Sequence, residues 1–169
     1  EIPDGSGRVL APATQDGLVN NNTGATGTQS FTQSETTILA FGNHVLVGFN
    51  DAGSFTGGSN KFTGYSYSSD GGATFTDGGT LPTNAGGDAG DPVFARNESS
   101  GRIYFSTLGF TASTIQVFLS DDNGVTWSAP VNGTPGGSSE DKQWIAVDNF
   151  AGSGNGNVYL ISRSFGSPN

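Results

Sequence analysis

The sequence contains no cysteine and few charged residues, with only 6 lysines and arginines in 169 residues. Without cysteine, the chain can form no disulfide, no zinc–thiolate site and no cysteine nucleophile. The 15 acidic residues give a net charge of −9, which excludes a basic surface for nucleic-acid phosphates. No apolar run in the sequence approaches the length of a membrane-spanning helix. We therefore expect neither a nucleic-acid partner nor a membrane span.

Glycine and bulky aromatic residues are abundant instead, with 28 Gly and 12 Phe. Short apolar stretches recur between Gly, Asn, Asp and Ser, a pattern that predicts an all-β chain. Residues 1–30 contain few bulky side chains and are predicted to form an irregular N-terminal arm. The first residues have no signal-peptide pattern, yet the composition is typical of secreted β-proteins. We expect a removed signal peptide and a secreted, extracellular or cell-surface protein.

Ten strands are predicted beyond this arm, in two units of four strands and a third unit of two. The Gly42–Asn43 pair predicts a tight hairpin turn between the first two strands. The three units cover residues 31–84, 85–137 and 138–169, and the third is incomplete. The predicted strands are 36–41, 44–50, 62–68, 74–81, 92–95, 102–108, 114–120, 126–131, 143–148 and 157–164.

Two copies of a Ser-x-Asp-x-Gly-x-Thr-aromatic motif connect the third and fourth strands of the two complete units. They begin at Ser68 and Ser120, which are 52 positions apart. The aspartate is suited to accept backbone N–H bonds within a turn, and the glycine to adopt a positive φ. The aromatic residue packs the turn onto its sheet. We therefore assign a structural role to Ser68, Asp70, Gly72, Phe75, Ser120, Asp122, Gly124 and Trp127.

These motifs resemble the Asp boxes of sialidases and related β-propellers, and the resemblance covers residues 31–165. It implies a propeller of four-stranded antiparallel blades, with roughly six blades when complete. Residues 31–169 would then be a partial propeller of about two and a half to three blades. The resemblance also implies a glycan or glycoprotein ligand. The remainder of the propeller would come from the same precursor or from another copy.

Acidic residues precede the first strand of each unit, and these leader segments converge at one mouth of a propeller. Glu35, Asp91 and Asp141 are candidate catalytic residues, because neighbouring carboxyl groups supply an acid and a base for glycoside chemistry. Alternatively, Asp88, Asp91, Glu140 and Asp141 are candidate ligands for calcium, which prefers oxygen donors. The third interpretation is that each acid caps a local turn.

The resemblance also implies an arginine clamp for a substrate carboxylate, as sialidases have. None of the four arginines, Arg8, Arg96, Arg102 and Arg163, lies in the Phe-Arg-Ile-Pro type of motif. No sialidase catalytic residue is therefore transferred to this chain, and its enzymatic activity stays open. Trp144 begins an inner strand and is predicted to pack between units, with sugar stacking as the alternative.

Three functions remain open. The first is a secreted glycan-active enzyme with an acidic pocket at the mouth of the propeller. The second is a non-catalytic module that binds glycans or proteins, with or without calcium. The third is a structural or assembly protein whose open strand edge near residues 157–165 is completed by another chain.

Overall fold

The computed structural model describes residues 17–21, 32–54, 61–111, 114–137 and 139–166. These residues form ten strands and no helix, which confirms the all-β prediction. Accordingly, the described part of the chain contains no helix that could cross a membrane. Apart from residues 17–21, the predicted N-terminal arm lies outside the described residues.

The first sheet is a four-stranded antiparallel meander in the order in which its strands occur along the chain. Phe41 pairs with His44 across the Gly42–Asn43 turn, and Gly42 has a φ of +52°, so the predicted hairpin is confirmed. The two flanking rings stack with centroids 5.2 Å apart. The strands are β1 (Gln33–Phe41), β2 (His44–Asp51), β3 (Thr63–Ser68) and β4 (Thr76–Thr80).

The second sheet repeats this meander, and the third contains two antiparallel strands. The predicted strand 126–131 is wrong in its bounds, because only Val131–Asn132 pairs. Pro130 has no N–H group to donate to a neighbouring strand. The Leu119 N–H donates to the Ser128 hydroxyl at 3.1 Å, so a side chain replaces a backbone acceptor of the sheet here. The strands are β5 (Val93–Arg96), β6 (Ile103–Leu108), β7 (Ile115–Ser120), β8 (Val131–Asn132), β9 (Glu140–Val147) and β10 (Val158–Ser164).

An aromatic-rich core lies between the first and second sheets. The rings of Phe94 and Phe105 stack with centroids 4.0 Å apart, and Trp127 lies 5.1 Å from Phe105. Burying a side chain of this size stabilises the fold by about 1.5–3 kcal/mol. The buried members of this cluster are Leu46, Tyr65, Leu81, Phe94, Ile103, Phe105 and Phe118.

A second core joins the second and third sheets through Val93, Ala95, Val117 and Ile145. Alternate residues of β5 therefore enter the two cores, as expected where successive side chains of a strand point to opposite faces. The outward face of the third sheet is uncovered, and Ile161 on it is 69% exposed. The three sheets thus form a stack whose middle member is covered on both faces.

The stack has two ends, which carry different segments of the chain. The first residues of β1, β5 and β9 lie at one end, which we call the leader end. The opposite end, the turn end, carries the Gly42–Asn43 turn and the two motif turns at 68–75 and 120–127. The Gly71 N–H donates to the Asn43 carbonyl at 2.8 Å, which ties two of these turns together.

Candidate functional site

A cleft of about 130 Å³ opens at the leader end, and we call it the leader cleft. Each sheet contributes three consecutive residues where its inner strand begins. The lining residues are Glu35, Thr36, Thr37, Asp91, Pro92, Val93, Lys142, Gln143 and Trp144. The cleft therefore consists of one structural position repeated in all three sheets.

The first residue of each contribution has an unusual backbone. Glu35, Asp91 and Lys142 have φ values of 49°, 53° and 48°, in the left-handed region that residues other than glycine rarely adopt. The pairing register of β1 and of β9 also shifts at this point, between Ser34 and Thr37 in β1. Such bulges redirect side chains and are common next to binding sites.

Neighbouring sheets hold the backbone of Asp91 in this conformation. Its N–H donates to Asn50 Oδ1 at 2.8 Å, and its carbonyl accepts a hydrogen bond from Gln143 Nε2. Gly90, at φ +92°, has no room for a side chain, since a Cβ there would lie 2.2 Å from Asn50 Oδ1. Asn50 belongs to the first sheet and Gln143 to the third, so the cleft is fixed by contacts across the stack.

Asn50 also connects the two carboxylate residues of the cleft. Its Nδ2 donates to Glu35 Oε2 at 3.4 Å, while its Oδ1 holds the backbone of Asp91. Asn50 and Gln143 are only 7% and 1% exposed. Sequence reasoning missed both, although a polar residue within an apolar strand is a usable signal for a buried hydrogen bond.

The three predicted catalytic candidates are not brought together as a set. Glu35 is exposed and Asp91 half-buried, and both line the leader cleft. Lys142 occupies the third equivalent position, and Asp141 precedes it and is absent from the lining. Instead, Asp141 Oδ1 accepts the backbone N–H of Lys142 at 2.8 Å. The cleft thus combines two carboxylates with one ammonium group.

Three of the four calcium candidates accept separate local hydrogen bonds with their carboxylates. Asp88 is fully buried, and its Oδ1 accepts the N–H groups of Phe62 and Thr63 at 3.1 and 2.5 Å. Burial raises the pKa of Asp88 despite these bonds. Glu140 Oε2 accepts the Ser162 hydroxyl at 2.6 Å. Among the described residues no three acidic or histidine side chains gather as a metal site.

Trp144 lies on the outward face of the third sheet, and its side chain is 59% exposed at the edge of the cleft. None of the arginines that the structure describes lines the cleft. Arg102 forms a two-point ion pair with Asp121, with both N–O distances 2.7 Å, at the turn end. The Arg96 guanidinium lies 4.3 Å from the ring centroid of Phe41. The exposed indole of Trp144 therefore lies beside the polar groups of the cleft, a combination that is common in small-ligand sites.

The two motif turns at the opposite end have the same hydrogen bonds. Asp70 accepts the backbone N–H of Thr74 at 2.9 Å and its hydroxyl at 2.6 Å, and the Ser68 hydroxyl donates to Asp70 at 2.7 Å. These bonds, above all the hydroxyl bond from Thr74, lower the pKa of Asp70 to about 2. The Asp70 carboxylate, like that of Asp122 in the second turn, therefore accepts hydrogen bonds from its own turn.

In the second turn, Asp122 accepts the corresponding bonds from Thr126 and Ser120. Desolvation raises the pKa of Asp122, but these hydrogen bonds outweigh it and the pKa is lowered overall. This turn also contacts the preceding sheet, where Tyr65 Oη donates to the Val125 carbonyl at 3.3 Å. Its position, remote from the leader cleft, fits a role in joining sheets.

No family model and no curated protein matches this chain. Solved structures of similar fold include the NanB sialidase from Streptococcus pneumoniae, with a TM-score of 0.51, 20% identity and coverage of 73% of this chain. A Hadza microbial sialidase matches with a TM-score of 0.53 and 16% identity over 70% of this chain. An exo-β-1,3-galactanase from Phanerochaete chrysosporium with galactose has a TM-score of 0.53 and 16% identity over 86%.

These matches show that the chain shares its all-β fold of antiparallel sheets with sialidases and a galactanase. The chain spans only 18%, 30% and 35% of the lengths of those three proteins, respectively. At this identity the likeness concerns the fold alone, because one fold supports many activities.

Proposed function

We propose that this chain is the sialidase-like, Asp-box propeller part of a secreted protein that binds glycans in the leader cleft. The observation that carries the proposal is the repeated left-handed position of Glu35, Asp91 and Lys142, three charged residues at one cleft. Carboxylates accept hydrogen bonds from sugar hydroxyls, and the exposed face of Trp144 provides a stacking surface. The similarity of fold to sialidases and a galactanase supports a glycan ligand by analogy.

Glycan processing is the stronger form of this proposal. One carboxylic acid of the Glu35 and Asp91 pair would protonate the leaving glycosidic oxygen, and the other carboxylate would take a proton from the attacking water. The products are two free sugars, and water supplies the added atoms. The rest of the propeller, from the same precursor or another copy, completes the site. Calcium remains a proposal that a chelator tests.

The test measures the binding of sialyllactose and of a galactose trisaccharide through the fluorescence of Trp144. All variants carry Trp127→Phe, so that Trp144 is the one tryptophan that fluoresces. We expect saturable quenching that Glu35→Gln and Asp91→Asn each weaken about tenfold, the loss of roughly one charged hydrogen bond. Glu98→Gln, an exposed change at the turn end, is the matched control. Unchanged binding in both cleft variants would overturn the proposal. Release of free sugar from the saccharide would distinguish processing from binding. Loss of saccharide binding in the presence of a calcium chelator would support a role for calcium in the site.

A second candidate, an assembly role, is favoured by the uncovered end faces of the stack. Phe94 and Ile145 hold equivalent positions in β5 and β9 and are 8% and 2% exposed, whereas Ile38, the equivalent in β1, is 68% exposed. The third sheet exposes Tyr159 and Ile161, at 54% and 69%. Another sheet of the same kind would cover both faces. Native mass spectrometry tests this, since Ile161→Glu should abolish any complex.

A further inference from the structure

A second cleft at the leader end lies outside the site proposed above. It measures about 440 Å³ and lies between the segment before β5, the residues Gly109, Thr111 and Thr114 that follow β6 and precede β7, and β8. The described residues that line it carry no charge. Its polar lining comes mainly from Asn84, Thr111, Thr114, Gln116 and Asn132. We call it the amide cleft.

Hydrogen bonds connect the walls of the amide cleft. The Gly86 carbonyl accepts three hydrogen bonds, from the N–H groups of Phe110 and Thr111 at 3.1 and 3.0 Å and from the Thr111 hydroxyl at 3.2 Å. These bonds join the two loops that form opposite walls. A site held in this way loses little conformational entropy when a ligand binds.

The floor of the cleft is fixed by Gln116, which is 5% exposed. Its Nε2 donates to the Gly87 carbonyl, and its Oε1 accepts the Thr83 hydroxyl at 3.4 Å. A Cβ at Gly109 would lie 3.3 Å from Gln116 Nε2 and 3.0 Å from the Thr114 carbonyl. Glycine at position 109 therefore allows the wall to approach the floor.

Hydrogen-bond donors remain at the rim. The Oδ1 atoms of Asn84 and Asn132 accept the N–H groups of Gly86 and Thr134 at 2.8 and 2.9 Å, which orients both amides. In the described part of the chain, neither Nδ2 group donates to a protein acceptor, and both side chains are exposed. Val131, 54% exposed, adds an apolar surface. Fixed amide donors around an apolar patch suit a ligand with many hydroxyl groups and no charge.

We propose that the amide cleft binds a neutral saccharide, separately from the leader cleft. A charged ligand would find no counter-charge in the lining, and the net charge of −9 disfavours anions further. The volume is within the usual range for sites that hold one small ligand.

The experiment is an amide NMR titration of the full chain with neutral trisaccharides of glucose, xylose and galactose, and with anionic sialyllactose. We expect saturable shifts at Gly86, Gly109 and Thr111 with a neutral sugar. The Asn84→Ala/Asn132→Ala double variant should weaken this binding about tenfold, because two hydrogen bonds are lost. Asn43→Ala, an exposed change at the turn end, is the matched control.

Ala85→Arg places a bulky charge in the lining and should abolish the shifts without changing the thermal unfolding midpoint. The Glu35→Gln/Asp91→Asn double variant should show the wild-type shifts at Gly86, Gly109 and Thr111 with the neutral sugar, which separates this proposal from the leader cleft. Three results would each overturn the proposal: no saturable shifts, shifts confined to the leader cleft, or wild-type binding by the Asn84→Ala/Asn132→Ala variant.

Discussion

Asn50, at the end of β2, accepts the backbone N–H of Asp91 from the neighbouring sheet at 2.8 Å. The same side chain donates to Glu35 at 3.4 Å, so one buried amide orders two cleft residues that lie 56 positions apart in the sequence. Gly90 presses against this amide so closely that only glycine fits there. Packing between sheets and the shape of the leader cleft therefore depend on the same contact.

Replacing Asn50 by alanine should destabilise the fold by about 1–3 kcal/mol, since the Asp91 N–H would be left without its acceptor. Asn50→Asp keeps an acceptor oxygen but loses the donor to Glu35 and adds a like charge beside it. We expect this second variant to retain more stability but to lose saccharide binding. Urea unfolding and titration with saccharide measure the two effects. Equal stability of Asn50→Ala and wild type would contradict this role.

The two motif turns provide a matched pair of glycines. Gly72 and Gly124 have φ values of 87° and 85°, but a Cβ on Gly124 would lie 2.1 Å from Leu46 Cδ2, whereas the nearest atom at Gly72 is 3.8 Å away. Gly72→Ala should cost about 1–2 kcal/mol from left-handed strain alone. Gly124→Ala should cost about 1–3 kcal/mol more, because the fully buried Leu46 has to move. Similar urea midpoints for the two variants would refute the proposed packing of the second turn.

Several parts of the fold follow from local sequence patterns, which explains why they were predictable. The Gly42–Asn43 hairpin and the two motif turns depend on residues close together in the chain. The bounds of β8 were predicted wrongly because the side chain of Ser128 replaces a ladder contact, an arrangement that propensity does not reveal. Blade number and closure of the propeller stay predictions, since they depend on contacts beyond one sheet.

The third cleft residue shows how far sequence reasoning could have gone. The first strands of the second and third units repeat with an offset of 51 positions, which relates Ala95 to Ala146 and Asp91 to Lys142, not to Asp141. Asp141 was predicted because it is acidic, whereas the position in the repeat that lines the cleft belongs to Lys142. Asn50 and Gln143 were missed for a different reason, because their partners lie on neighbouring sheets and no local pattern specifies them.

Acid should weaken the contribution of the first motif turn. The folded-state pKa of Asp70 is about 2, below the unfolded value of about 3.9. Its carboxylate therefore stabilises the fold above the unfolded pKa, and this stabilisation is lost as the pH falls through about 2. The urea midpoint of Asp70→Asn should lie below that of wild type at pH 7 and approach it towards pH 2.

Thr74→Val is the companion variant, because it removes the hydroxyl that has the largest effect on the pKa of Asp70. It should reduce the pH dependence and leave the backbone bond to Asp70 in place. A midpoint difference between Asp70→Asn and wild type that stays constant from pH 7 to pH 2 would rule out this linkage.

Asp88 should show the opposite dependence on pH. Its side chain is fully buried, its Oδ2 has no hydrogen-bond partner among the described residues, and burial raises its pKa. A carboxyl group whose pKa is higher in the folded than in the unfolded protein stabilises the fold at pH values below the unfolded pKa of about 3.9. This stabilisation is lost as the pH rises through the folded-state pKa. Asp88→Asn keeps an oxygen acceptor for the Phe62 and Thr63 N–H groups but carries no charge.

We therefore expect Asp88→Asn to gain stability relative to wild type on going from pH 3 to pH 7, measured by urea unfolding at both values. Asp88→Ala is the comparison, since it removes the acceptor as well and should destabilise at both pH values by about 1–3 kcal/mol. If Asp88→Asn instead loses stability relative to wild type at pH 7, the charged carboxylate is needed there. Some cation or donor would then have to reach Oδ2, and burial alone would not describe this residue.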